Sequence, residues 1–194
     1  MRNVWRRAVG WSTVACLLKK ISALSPMPDD KALLNDETAL ADRYDALIEE
    51  IGQALTQETL GPAEEEELVT VLADSFGLGG GMGIYWGTLH LIERQPPSIM
   101  YLIIRDRVVH SLPGTRYWCS FILGRRRHID DLPLFLALLN DEIPEVREQA
   151  LHAIVMLSRA TSVHHVLPSI CLLLEDIDSG VRRAAQQAVA SIDA

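Results

Sequence analysis

The sequence is poor in the residues that build rigid chemical sites. Its three cysteines, Cys16, Cys119 and Cys171, are odd in number and far apart, with no CxxC pair and no His/Cys cluster. Neither a disulfide framework nor a structural zinc site is expected, and a reducing compartment, the cytoplasm, fits best. Cys119 and Cys171 read instead as small apolar core residues of helices. The six histidines (His90, His110, His128, His152, His164, His165) show no HExxH or other metal-ligand spacing. No serine sits in a GxSxG elbow, and no cysteine has a histidine partner in a motif. No metal, cofactor or catalytic constellation is therefore expected, and the chain is read as a non-enzyme. Long apolar runs are also lacking: a bilayer span needs about 20 residues, so stable membrane insertion is not expected.

Basic charge is scarce where it would matter. The chain holds 18 basic and 26 acidic residues, a net charge of −8. Five of the bases (Arg2, Arg6, Arg7, Lys19, Lys20) lie in residues 1–26, which contain no acid, so residues 27–194 carry 13 bases against 26 acids and a charge of −13. A body this acidic repels phosphate backbones, which excludes general nucleic-acid binding. The glycine-rich stretch 77–83 invites a phosphate-loop reading but lacks both the GK[ST] ending and a preceding strand. It reads as a connection or as a place where helices approach closely.

Three origins fit the basic leader 1–26. Met27 opens a segment with Pro28, Asp29 and Asp30, so translation starting there would make the leader an extension. An amphipathic, surface-seeking helix is the second reading, and a secretory signal is the third. The signal lacks a small-x-small cleavage site, and Lys19 and Lys20 interrupt its apolar stretch.

Beyond the leader the periodicity is helical. Leu40, Tyr44, Leu47, Ile48, Ile51 and Leu55 step by three and four along one face. Gly61 and Pro62 end that segment, and Pro62 opens another whose first turn, Glu64 to Glu67, places carboxylates at the positive end of the helix dipole. Residues 27–83 are expected to form a helical N-terminal cap with its glycine-rich loop, and residues 84–194 a set of repeats.

The repeat is explicit near the C-terminus. Leu132-Pro133-Leu-Phe-Leu-Ala-Leu-Leu-Asn-Asp141, followed by Val146, Arg147 and Ala150, matches Leu167-Pro168-Ser-Ile-Cys-Leu-Leu-Leu-Glu-Asp176, followed by Val181, Arg182 and Ala185. Every pair is offset by 35 residues. Each unit reads as a first helix, a turn carrying the aspartate, and a second helix opened by Val-Arg. Degenerate units lie upstream, where Tyr85-Trp86 and Tyr117-Trp118 mark second helices. Gly87, Cys119, Ala150 and Ala185 are aligned at one small position, and Pro97 to Asp106 serves as a first helix ending in its aspartate.

These residues resemble the HEAT repeat family: Pro133, Asp141, Val146 and Arg147 fill one set of its positions, and Pro168, Asp176, Val181 and Arg182 the other. The resemblance implies an all-α fold, a right-handed alpha-alpha superhelix (HEAT-like solenoid) with N-terminal capping helices. It also implies a non-catalytic protein-binding module with a surface lined by successive second helices. Short acidic proteins similar to this one include bacterial immunity proteins, which bind and neutralise a toxin domain; the alternatives are a structural adaptor in a larger complex and a bilin-lyase-like protein. The acidity points to a partner with a basic surface. Two groups of residues are the candidate partner-binding set. Tyr85 and Tyr117, with Trp86 and Trp118 at the edge, are expected to stand outward as low-entropy aromatic anchors. Packing of both Tyr-Trp pairs against the capping helices is the alternative. Arg116, Arg125, Arg126 and Arg127 form a basic cluster on the acidic body, suited to a carboxylate-rich surface or a phosphate; the alternative is that they satisfy helix C-terminal carbonyls and acids such as Asp130 and Asp131.

Overall fold

The computed structural model describes residues 12–28, 38–79 and 83–193, and among these residues it contains helices, turns and no strand. Ten α-helices follow one another among the described residues: α1 (Thr13–Ser22), α2 (Thr38–Ala54), α3 (Pro62–Asp74), α4 (Tyr85–Glu93), α5 (Pro97–Arg107), α6 (Pro113–Arg126), α7 (Leu132–Leu138), α8 (Pro144–Ser158), α9 (Leu167–Cys171) and α10 (Ser179–Asp193). The expected solenoid is present: α5 and α6, α7 and α8, and α9 and α10 form hairpins, with α6 packed on α8 and α8 on α10. One apolar core runs the whole length, from Val14 to Ile192.

The cap contains more of the chain than the sequence suggests. The described part of the leader is helix α1, which packs on both α2 and α3 and buries Val14, Leu17, Leu18 and Ile21. Its amphipathic face is thus turned to the core. Ser12 caps the helix by accepting from the amide of Ala15 at 3.1 Å, and the Glu58 carboxylate accepts from the amide of Thr13 at 3.1 Å. Lys19 and Lys20 occupy the last turn, where positive charge meets the negative end of the dipole. The Arg2, Arg6 and Arg7 part of the leader lies outside the described residues. In α3 the acidic first turn is mostly solvent-exposed as expected, and Glu64 reaches back to accept from the amide of Gly61 at 2.8 Å.

Cap and repeats meet around an aromatic cluster. The Tyr85 ring packs edge-on against Tyr44, Phe76 and Trp118, and Phe76 stacks on Trp118 with centroids 5.2 Å apart. The Tyr44 hydroxyl shares hydrogen bonds with Ser75 at 2.7 Å and Thr88 at 2.8 Å, so its buried polar end is satisfied. Burial pushes the Tyr44 phenol up to about 12. Close approach explains two glycines here: a side chain at Gly77 would meet the carbonyl oxygens of Met27 and Pro28, and one at Gly114 would meet the backbone of Phe76 and Gly77. Gly114→Ala is accordingly expected to cost about 2–3 kcal/mol, because the obstacle is backbone and not a flexible side-chain end. Chemical denaturation checks this, and an unchanged midpoint would show that the junction can yield.

The repeats are joined by a ladder of ion pairs. Arg116 binds Asp141 through Nε and Nη2 at 2.7 and 2.8 Å, while its Nη1 donates to the carbonyls of His110 and Ser111. One unit on, Arg147 repeats the pattern, binding Asp176 at 2.9 and 2.7 Å and donating to the carbonyls of Asp141 and Glu142. Each aspartate also accepts from the amide two residues ahead, Ile143 for Asp141 and Asp178 for Asp176. His110 fills the aspartate's place in the first of these turns, its ring nitrogen accepting from the amide of Leu112 at 3.3 Å. Asp106, read from sequence as that aspartate, lies inside α5 and pairs with Arg107 instead. At the far end, Arg182 donates Nη1 to the carbonyls of Asp176 and Ile177, and its remaining nitrogens have no partner among the described residues. Cys119 is in the core as expected, whereas Cys171 is exposed at the end of the short helix α9.

Candidate protein-binding surface

The second helices of the repeats are α4, α6, α8 and α10, and their register decides what they show to solvent. Burial places Thr88, Cys119, Ala150 and Ala185 at one equivalent inward position. This is one residue away from the sequence alignment of α4, which put Gly87 there. The consequence reaches the whole of α4. Tyr85 becomes the equivalent of Arg116, Arg147 and Arg182, and Trp86 the equivalent of Tyr117, Glu148 and Arg183.

Tyr85 therefore does not stand outward. It is 0% exposed, and its hydroxyl accepts from the amide of Gly77 at 2.8 Å. Trp118 is likewise inward at 4% exposure, its indole N–H donating to the carbonyl of Gly79 at 3.0 Å. Its equivalents Gln149 and Ala184 are buried as well, so the edge position assumed from the helical phase is an interior one. Arg116 also leaves the candidate set, since its guanidinium is consumed by Asp141 and two carbonyls in the inter-repeat ladder. Of the Tyr-Trp pairs, the inner members Tyr85 and Trp118 form the junction with the cap, and the outer members Trp86 and Tyr117 flank the surface.

The outward phase carries a stripe at every third or fourth residue: exposed Trp86, His90 and Glu93 on α4; half-buried Tyr117 and Phe121 and exposed Arg125 on α6; half-buried His152, Val155 and Met156 and exposed Arg159 on α8 and its end. Trp86 is 48% exposed and packs edge-on against Phe121, centroids 6.1 Å apart. Arg125 lies over the same Phe121 ring at 5.7 Å and pairs with Glu93 at 3.2 Å. These contacts set α4 and α6 side by side as one shelf, aromatic at the Trp86 end and cationic at the Arg125 end.

The three consecutive arginines separate by role. Arg126 turns back over the Tyr101 ring of α5, and burial there lowers its basicity, a shift that Asp131 partly opposes. The two acids invoked from sequence are held by Arg105, which reaches Asp131 at 3.3 Å and the carbonyl of Asp130 at 3.1 Å. Burial raises the Asp131 carboxyl above the ordinary range, against the opposing influence of Arg105, His128 and Arg126. Arg125 and Arg127 instead line a groove of about 450 Å³ together with His152, Val155, Met156 and Arg159. Gly124 brings the walls together: its Cα lies so close to Ala153 of α8 that an added methyl would sit 2.9 Å from that residue.

Of the residues singled out from sequence, Trp86, Tyr117, Arg125 and Arg127 lie on or beside this candidate surface, together with Phe121, His152, Val155, Met156 and Arg159, which were not singled out. These residues had a signal: they occupy the outward phase of α6 and α8, at steps of three and four residues from Tyr117 and Glu148. Among the described residues no group of three or more His, Cys, Asp or Glu side chains is placed to hold a metal ion. No described helix is long and apolar enough to cross a membrane.

Compared with known families, residues 132–160, which span α7, its following turn and α8, match the HEAT repeat. No curated protein matches the chain. The matched hairpin supplies one partner to each rung of the inter-repeat ladder, Asp141 to Arg116 and Arg147 to Asp176, and the surrounding hairpins extend the same all-helical solenoid. HEAT repeats commonly mediate protein interactions.

Proposed function

We propose that this protein is a non-catalytic protein-interaction module that receives its partner on the outward face of α4, α6 and α8. One observation carries the reading: Trp86, about half exposed, is held edge-on by Phe121 beside an arginine-lined groove. Tryptophan and arginine are the side chains that most often dominate interface energies, and a ring fixed by its neighbour loses little entropy on binding. The repeat scaffold supplies the rigidity such a preformed face needs.

The charge distribution supports a finer reading. With −13 over residues 27–194, the molecule attracts a partner whose surface is broadly basic, which speeds encounter before any contact is made. An immunity protein covering a basic toxin domain is the specific form of that reading, and the acidity is what supports it.

Affinity capture from the native host, with the wild-type chain and with Trp86→Ala, tests the module. The substitution is expected to reduce recovery of the specific partner about tenfold or more while leaving the helical circular-dichroism spectrum unchanged. Equal recovery from a correctly folded variant would overturn the assignment of this face.

A further inference from the structure

We propose that the groove between the ends of α6 and α8 is a docking site for an acidic, amphipathic segment of a protein partner. The segment's carboxylates would be taken by Arg125, Arg127 and Arg159, and its apolar side chains by Val155 and Met156. The proposal rests on the reading of this face as the binding surface and gives it a chemical class of ligand.

Pairing makes these arginines different from the ladder arginines. Arg116 and Arg147 each spend their guanidinium on an aspartate and two carbonyls. Arg127 and Arg159 have no side-chain partner among the described residues, and Arg125 makes one ion pair, to Glu93, and lies over the Phe121 ring from a side chain 45% exposed. The groove's lining contains no carboxylate, although the body around it is strongly acidic. Three like charges compensated by one carboxylate, that of Glu93, leave a local positive site that an external anion can neutralise.

Backbone conformation adds an independent observation. Arg127 ends α6 with φ of +56°, the left-handed conformation that glycine adopts without steric cost and most other residues avoid. A helix end needs only glycine at this place, so the side chain is what arginine adds, and that side chain lines the groove.

The lining also selects the kind of anion. A lone phosphate would use the cationic rim and leave Val155 and Met156 untouched, whereas a peptide segment with carboxylates on one side and apolar residues on the other covers both. The shelf of Phe121 and Trp86 continues from Arg125, so a longer segment can run from the groove onto the aromatic end. On a partner that is broadly basic, one acidic segment keyed here would fix orientation while the overall charge brings the two molecules together.

The test uses the full chain and a fluorescein-labelled helical peptide carrying glutamates on one face and leucines on the other, followed by fluorescence anisotropy. Binding is expected to weaken about tenfold in the Arg127→Gly/Arg159→Ala double variant and about tenfold when the glutamates become glutamines. It is also expected to weaken severalfold when the leucines become serines. Arg127→Gly suits the left-handed position, so loss of binding in it is not loss of the helix end; circular dichroism verifies this. Affinity that is unchanged in the double variant overturns the groove, as does a failure of the peptide to bind. Displacement by inorganic phosphate, with the serine peptide binding as well as the leucine peptide, would show a simple anion site and overturn the segment. Capture of the native partner separates the two levels: sensitivity to Trp86→Ala without any role for Arg127 and Arg159 leaves the module standing and removes only the groove.

Discussion

A chain shortened to begin at Met27 is expected to lose about 3–5 kcal/mol of stability and to expose apolar surface, lowering its melting midpoint by roughly 10 °C. The loss comes from α1, whose Val14, Leu17, Leu18 and Ile21 are each less than 5% exposed. Burying four such side chains is worth about 6–12 kcal/mol gross, and much of that is offset by the entropy of ordering the helix that carries them. Ordering entropy does not offset what happens on the other side of the contact. Without α1 the faces of α2 and α3 that it covers meet water, and those helices also hold Tyr44 and Phe76 against Tyr85 and Trp118. The loss should therefore pass from the cap to the junction with the repeats. Thermal melting followed by circular dichroism, together with binding of a hydrophobic dye, measures both effects. A truncated chain with the full-length midpoint would mean that α1 only rests on the surface. Ile21→Ala, a milder change at a fully buried position, should cost about 2–4 kcal/mol and separates packing from the loss of chain length.

The leader shows where sequence reasoning stops. Its residues offer an amphipathic helix, but amphipathicity names a face and not the surface that receives it; a membrane, a partner and the protein's own core require the same periodicity. The repeat was legible for the opposite reason. In α7 to α10 the Leu-Pro, Asp and Val-Arg signals recur at a fixed offset, and each does a definite structural job. Proline opens the helix, aspartate caps the turn, and the arginine binds the turn's carbonyls, Arg147 also reaching the next unit's aspartate. Upstream the same jobs pass to different residues. His110 replaces an aspartate as the turn acceptor, and Tyr85 stands where an arginine would and accepts from the amide of Gly77. Once the marker residues change, the register must be taken from burial, and a one-residue error on a helix turns a side chain by about 100°. That rotation is what moved Tyr85 from the expected surface to the core and brought Trp86 out. The candidate surface was half legible: aromatics and arginines carry a compositional signal, whereas Val155, Met156 and Arg159 join them only because Gly124 lets α6 approach α8.

Asp176→Ala is expected to destabilise the C-terminal unit by about 3 kcal/mol, nearly as much as Arg147→Ala and well beyond a surface ion pair. Arg147 and Asp176 have side chains only 10% and 9% exposed, so removing either leaves the other's charge in a place built for its partner. Asp176→Ala also strands the amide of Asp178, which the carboxylate caps at 2.8 Å. Arg182→Ala provides the matched control. That residue makes the same two carbonyl bonds but has no aspartate beyond it among the described residues, so its loss should cost only about 1 kcal/mol. The pH dependence follows from the hydrogen bonds of Arg147, which hold the Asp176 carboxyl below its ordinary value of 3.8. A carboxyl whose folded pKa is depressed contributes stability that is present above the unfolded value and lost as pH falls through the folded one. The difference in melting midpoint between wild type and Asp176→Asn should therefore be full at neutral pH and shrink below about pH 4. Hydrogen exchange localises the loss: a repeat array is stabilised by contacts between neighbours, so α10 amides should lose protection before those of α6, whose own rung to Asp141 remains closed. Equal loss of protection along the whole solenoid would show that the rung stabilises the array globally, and a gap that stays constant into acid would assign the effect to packing instead of charge.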